Sequence, residues 1–220
     1  MLARCLSASL LGIDARPVTV EVDLAPGLPG LQLVGLADTA IQESRERVRA
    51  ALRNSGFRGP LVKVVVNLAP ADLRKEGPCF DLPIALGLLI ASGQLDSPCL
   101  KGLWSAGELG LDGRLRPCRG ILAIACLAKS MGARGLLVAA EDAAEAALVR
   151  GLRVTAAASL KELVNLLRAG DLVQTAARAQ QQTPRDQCAA AEPTTAPHLL
   201  NLPAQHLARQ GLALSAIGGH

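Results

Sequence analysis

Tyrosine is absent from the 220 residues, and the other aromatics are limited to Phe57, Phe80 and Trp104. A core must therefore be built from Leu, Val, Ile and Ala, which the 50% apolar content permits. The same scarcity removes the aromatic platforms on which single-stranded nucleic acid stacks. Histidine is confined to His198, His206 and His220. The first 197 residues thus offer no imidazole as base or metal ligand, which excludes a Cys–His dyad and the Cys/His zinc patterns there. The six cysteines, Cys5, Cys79, Cys99, Cys118, Cys126 and Cys188, form no CxxC pair. No apolar run reaches the roughly 18 residues of a membrane span. The N-terminal "MLARCLSASLLG" is too short and poorly flanked for a signal peptide. These features predict a cytoplasmic chain with reduced thiols and no membrane partner.

What is present reads as alternating strands and helices. Residues 2–10 and 16–24 alternate as strands joined through "GIDARP", and "LQLVG" reads as a short third strand. "DTAIQESRERVRAALRNSG" predicts a helix. Thr39 and Gln42 match a capping box, Ile41, Val48 and Leu52 share one stripe, and Gly56 is a stop signal. "LVKVVVNLA" is almost wholly apolar and suits a sheet centre. The loop "RKEGPC" then leads into the apolar helix "FDLPIALGLLIASG", with Pro83 in its first turn. "LWSAGELGLDGRLRP" predicts a hairpin turning at Asp112-Gly113. A helix over 119–132, strand "GLLVA", a helix near 141–149, strand "LRVTA" and helix "SLKELVNLLRAG" complete an α/β pattern. Composition changes near residue 171. The Gln-, Ala-, Thr- and Pro-rich stretch that follows predicts a linker over 170–197, and residues 198–220 regain helical character around 203–216.

Three stretches, "VEVDLAPGLPGLQLVGLADTAIQESRERVRAALRNSGF", "KVVVNLAPADLRKEGPCFDLPIALGLL" and "GELGLDGRLRPCRGILAIA", closely resemble the N-terminal region of the ComM/YifB family of magnesium-chelatase-like AAA+ ATPases. The resemblance spans residues 1–169. "LPAQHLARQGLALSAIGGH" resembles the start of that family's ATPase module, with Ala204 where the family usually has glycine. It implies a Lon-protease-like domain, also described as a ribosomal-protein-type β-α fold with a mixed sheet. It also implies a homo-oligomeric, hexameric motor that uses ATP and Mg2+ on DNA recombination intermediates during natural transformation. The family's P-loop follows the "GGH" motif; this sequence contains no GxxxxGK[ST], so no ATP site is assigned to its residues.

The resemblance also raises a question of catalysis. Lon-type proteases pair a serine in "KDGPSAG" with a lysine in the helix after "GRVLPIGG". Laid on "KEGPCFD" and "GRLRPCRGIL", these positions become Cys79 and Leu122, and leucine takes no proton. Lys129 starts about 10 Å further along its helix, too far for a hydrogen bond. Lys75 could lower the Cys79 pKa by proximity. The sequence thus predicts a degenerate dyad and a buried, inert Cys79. A thiol-dependent peptidase and a standalone regulatory module are the alternatives. Asp81, where the protease loop has glycine, is expected to support its own helix start.

Residues 38–75 hold eight Lys and Arg against four Asp and Glu, an excess of four that equals the chain's 23 against 19. Positive charge is therefore concentrated in this stretch. Arg45, Arg49 and Arg53 form an i, i+4 row, relieved by pairing of Glu43 with Arg47 and Glu46 with Arg49. With Lys63, Arg74 and Lys75 they are candidates for contact with a DNA backbone; the alternative is a solvated or intersubunit face.

Overall fold

The computed structural model describes residues 2–59, 61–75 and 77–170. The predicted linker beyond residue 170 and the segment 198–220 lie outside the described residues. A mixed α/β architecture is observed, as expected, with a seven-stranded sheet in the order β3-β4-β2-β1-β5-β8-β9.

β1 (Leu2–Leu11) and β2 (Asp14–Ala25) pair antiparallel from Leu2 opposite Asp23 to Leu11 opposite Asp14. The hairpin is longer than predicted and turns in two residues, with Gly12 at φ 64°. β2 runs through Pro17 because β4 pairs with it only from Thr19 onward, so no ladder is interrupted on that side. β3 (Gly30–Val34) is the sheet's edge, parallel to β4.

α1 (Thr39–Asn54) buries Ile41, Ser44, Val48, Ala51 and Leu52. Its cap differs from the predicted Thr39–Gln42 box. Asp38 is the N-cap, and its carboxylate accepts from the Ile41 N–H at 2.8 Å. Either residue type can cap a helix, and the choice falls to Asp38 because its second oxygen has another donor to serve. β4 (Lys63–Ala69) lies one strand in from the edge, and only Val64, Val66 and Leu68 are buried. One face of it is thus covered, where the apolar run suggested two.

A 3₁₀ turn over Pro78–Phe80 feeds α2 (Asp81–Ala91), all of whose residues are buried. This helix lies against β1 and β2 on one side and α1 on the other. Gly87 permits the close approach to the sheet: a Cβ there would come within 2.6 Å of Val22 Cγ2.

The predicted hairpin over 103–117 divides in two. β5 (Leu103–Ser105) joins the main sheet, parallel to β1 and β8. Only β6 (Glu108–Leu109) and β7 (Leu115–Arg116) form the hairpin. Its turn includes Gly113 at φ 85°, whose N–H donates to the Gly110 carbonyl. A short apolar strand is equally suited to a hairpin arm and to a parallel sheet interior, and the distant β8 decides. α3 (Ile121–Ser130), β8 (Gly135–Ala139), α4 (Ala143–Ala146), β9 (Val154–Ala157) and α5 (Leu160–Ala169) follow. α4 is far shorter than the expected 141–149. β8 and β9 are buried throughout, as befits parallel strands covered on both faces.

Candidate functional site

The loop before Cys79 is tied to the start of α1. Asp38 Oδ2 accepts from the Gly77 N–H at 3.0 Å while Oδ1 caps the helix. The Asp38 N–H donates to the Lys75 carbonyl at 3.2 Å, and the Lys75 N–H to the Leu36 carbonyl at 3.3 Å. Gly77 turns at φ 83°, which a side-chain-bearing residue rarely adopts. Cys79 is then locked from behind: its carbonyl accepts from the Gly107 N–H at 3.0 Å, and the Gly107 carbonyl accepts from the Leu82 N–H at 3.0 Å.

The thiol itself is buried, 3.8 Å from the Ala8 carbonyl oxygen. Burial first, and the Asp81 charge second, push its pKa up to about 12. Cys118 is likewise buried and pushed up, by burial and then by the neighbouring Cys79. Leu122, at the expected dyad position, is 38% exposed, and its N–H donates to Glu145 Oε1 at 3.1 Å. The inward positions of α3 are Ile121, Ile124, Ala125 and Ala128, so no titratable side chain enters the core from this helix. Lys129 is engaged on the outside, donating to the Arg150 carbonyl. Lys75 is fully buried and donates to the Pro70 carbonyl. It does not activate the thiol, which stays protonated near neutral pH. Nucleophile and base are therefore not brought together.

Beside the thiol lies a polar knot. Asp81 has no exposed surface, and its carboxylate accepts from Arg47 Nε at 2.7 Å, Arg47 Nη2 at 3.1 Å, the Leu109 N–H at 3.1 Å and the Ser44 hydroxyl. Arg47 also donates to the Ala40 carbonyl at 2.9 Å. Burial pushes the Asp81 pKa up, while Arg47, Ser44 and the Leu109 N–H pull it down. The Arg47 guanidinium is held charged by Asp81. Asp81 lies in the first turn of α2, as expected, and beyond that joins α1, α2 and β6. The sequence signal for this tertiary role was Ser44, a hydroxyl on the buried stripe of α1 that requires a partner.

The predicted basic candidates separate. Arg45, Arg49 and Arg53 are exposed on α1, as are Lys63 at the start of β4 and Arg74 in the loop. Arg49 and Arg53 line a groove with Leu31, Leu61 and Val64, while Lys63 lines a second recess with Leu28 and Gln32. Lys75 departs from the prediction: with its ammonium on a backbone carbonyl and no exposed surface, it is out of reach of a phosphate in this conformation. The predicted pairs are present, Arg47 with Glu43 at 3.6 Å and Arg49 with Glu46 at 3.9 Å. No helix among the described residues is long and apolar enough to cross a membrane.

Residues 20–142, more than half of the chain, match the family model described as subunit ChlI of Mg-chelatase. The competence protein ComM of Haemophilus influenzae is 45% identical over 166 residues, covering 76% of this chain and 32% of that protein. A YifB protein of Salmonella typhimurium is 40% identical over 210 residues, 96% of this chain and 40% of its own length. An uncharacterized protein of Mycobacterium tuberculosis is 36% identical over 219 residues, 100% of this chain and 42% of its own. The chain thus spans less than half the length of these relatives.

Proposed function

Because this chain belongs to the Mg-chelatase-like ComM/YifB family, we propose that it is a non-catalytic, Lon-protease-like domain of an ATP-driven, hexameric DNA-processing protein. Such a protein would act in the cytoplasm on recombination intermediates formed during natural transformation. The domain would serve ring assembly and guide DNA across its basic surface. The observation that carries the non-catalytic reading is Cys79, a buried thiol held protonated, with no base on the inward face of α3. The competence assignment draws on the name of the Haemophilus relative.

ATP and Mg2+ belong to that reading of the whole protein, and the residues here do not fit them. The sequence has no GxxxxGK[ST], and among the described residues no three His, Cys, Asp or Glu converge as metal ligands. DNA guidance by α1 is tested by charge reversal at Arg45 and Arg53 in the complete hexamer. Weaker DNA binding with a shallower salt dependence is expected; unchanged affinity across a salt titration overturns the idea.

A further inference from the structure

The parallel half of the sheet carries a cation immediately before each of its strands. Lys101 stands two residues before β5, Arg134 one before β8 and Arg153 one before β9. In-register pairing of Leu103 with Gly135 and of Leu136 with Val154 brings these starts to one edge. Neighbouring strands lie about 4.8 Å apart, so the three cations form a row. Arg168, from the last turn of α5, joins Arg134 and Arg153 around one shallow cavity. All four side chains are exposed.

The cations on α1 are mixed, and Arg45 and Arg53 have no carboxylate within 4.0 Å among the described residues. Arg47 and Arg49 each have a carboxylate partner. Among the described residues, Lys101, Arg134, Arg153 and Arg168 have none within 4.0 Å. Asp96, five residues before Lys101, pairs with none of them, and Asp171, three residues after Arg168, lies outside the described residues. Arg153 Nε donates to the Arg134 carbonyl at 3.0 Å, and Arg168 Nη2 to the Gln94 carbonyl at 2.7 Å. The Arg153 and Arg168 guanidiniums are thereby each positioned by one hydrogen bond to backbone and keep their remaining donors for a ligand. The C-terminus of α5 contributes about half a negative charge here, against four full positive ones. Glu141, Asp142 and Glu162 lie at the opposite end, where β8 and β9 finish.

We infer that this edge, formed by Lys101, Arg134, Arg153 and Arg168, binds the phosphate backbone of duplex DNA. The ligand class follows from unpaired guanidinium groups in a row, and the scarcity of aromatic side chains favours backbone contact over base stacking. The choice of DNA among polyanions rests on the DNA-processing reading above.

The test is fluorescence anisotropy of the 220-residue chain with a labelled duplex of about two helical turns, across a salt titration. Lys101→Glu/Arg134→Glu is the primary variant, because neither charged group is hydrogen-bonded among the described residues and the fold is spared. A thermal melt matching wild type verifies this. The affinity is expected to fall at least tenfold, with the slope of log K against log salt reduced by about 2. Lys161→Glu/Arg16→Glu, with the same change in net charge away from this edge, is expected to bind as wild type. An equal loss in that control, or an unchanged affinity in Lys101→Glu/Arg134→Glu, overturns the inference. If Arg45→Glu/Arg53→Glu alone loses binding, the inference fails and the α1 reading stands. If wild type binds no duplex at low salt, the inference fails, while the α1 reading is decided by its own test in the complete hexamer.

Discussion

Arg47 reaches across 34 positions of sequence to hold Asp81 through two hydrogen bonds, at 2.7 and 3.1 Å, around a carboxylate with no exposed surface. A buried carboxylate is costly unless its oxygens are filled, and here four donors fill them. The pair fixes the start of α2 to α1, and with it the Cys79 loop that α1 also holds through Asp38.

Removing the cation should therefore cost more than neutralising the acid. Arg47→Met leaves Asp81 buried with only Ser44 and the Leu109 N–H, and a loss of about 3–5 kcal/mol is expected in urea unfolding. Asp81→Asn leaves a partly exposed guanidinium that water can serve, and should cost less. In the double variant the two losses should fall short of their sum. Additive losses would mean the contact is energetically idle.

The same variant predicts a pH dependence. Burial raises Asp81 above its ordinary 3.8, and Arg47 opposes that rise. Without Arg47 the rise is larger. A carboxyl whose folded pKa is raised contributes stability that is present in acid and lost as pH rises through the folded value. The deficit of Arg47→Met relative to wild type should therefore shrink from pH 8 to pH 5. A deficit that is constant or grows in acid would contradict this account.

Most elements were legible because apolar periodicity is local: β1 to β4, α1, α2, α3 and α5 all lie where their patterns predict. The departures share a physical cause, dependence on distant partners. Asp38 rather than Thr39 caps α1 because Gly77 also needs an acceptor. β5 left the predicted hairpin because β8, some thirty residues on, pairs with it. Lys75 lies inside against the usual behaviour of lysine, and no pattern around it announces this. The sequence predicts a buried, inert Cys79 from the missing base, and the thiol is indeed buried. The basic row on α1 stood out as a cluster in sequence, whereas Lys101, Arg134, Arg153 and Arg168 are scattered and meet only through parallel strand pairing.

Gly87 supplies a packing test. A methyl group there would meet Val22 Cγ2 at 2.6 Å, and Val22 is itself fully buried against the helix. Gly87→Ala should destabilise by about 1–3 kcal/mol despite the better helix propensity of alanine. Val22→Ala on that background should restore part of the loss, although Val22→Ala alone is destabilising. Failure of the double variant to recover would place the strain elsewhere.

Cysteine reactivity separates an inert scaffold from a latent thiol enzyme. At pH 8 a maleimide should modify exposed Cys126 rapidly and leave Cys5, Cys79 and Cys118 untouched until the chain unfolds. Burial holds Cys5 and Cys79 at about 12, against an ordinary 9.0. Below pH 9 both states keep these protons, and the stability they contribute is whole. Between 9 and 12 the unfolded thiols ionise while the folded ones cannot, so stability falls by about 1.4 kcal/mol per pH unit for each thiol. Cys79→Ala should remove one proton's worth of that slope, measured by urea unfolding between pH 9 and 11. Fast labelling of Cys79 at pH 8, tracking any peptide cleavage lost in Cys79→Ala, would instead reveal an accessible nucleophile. Slow labelling with the alkaline slope intact would identify the thiol as packing, held in a loop that keeps its shape through Asp38 and Asp81.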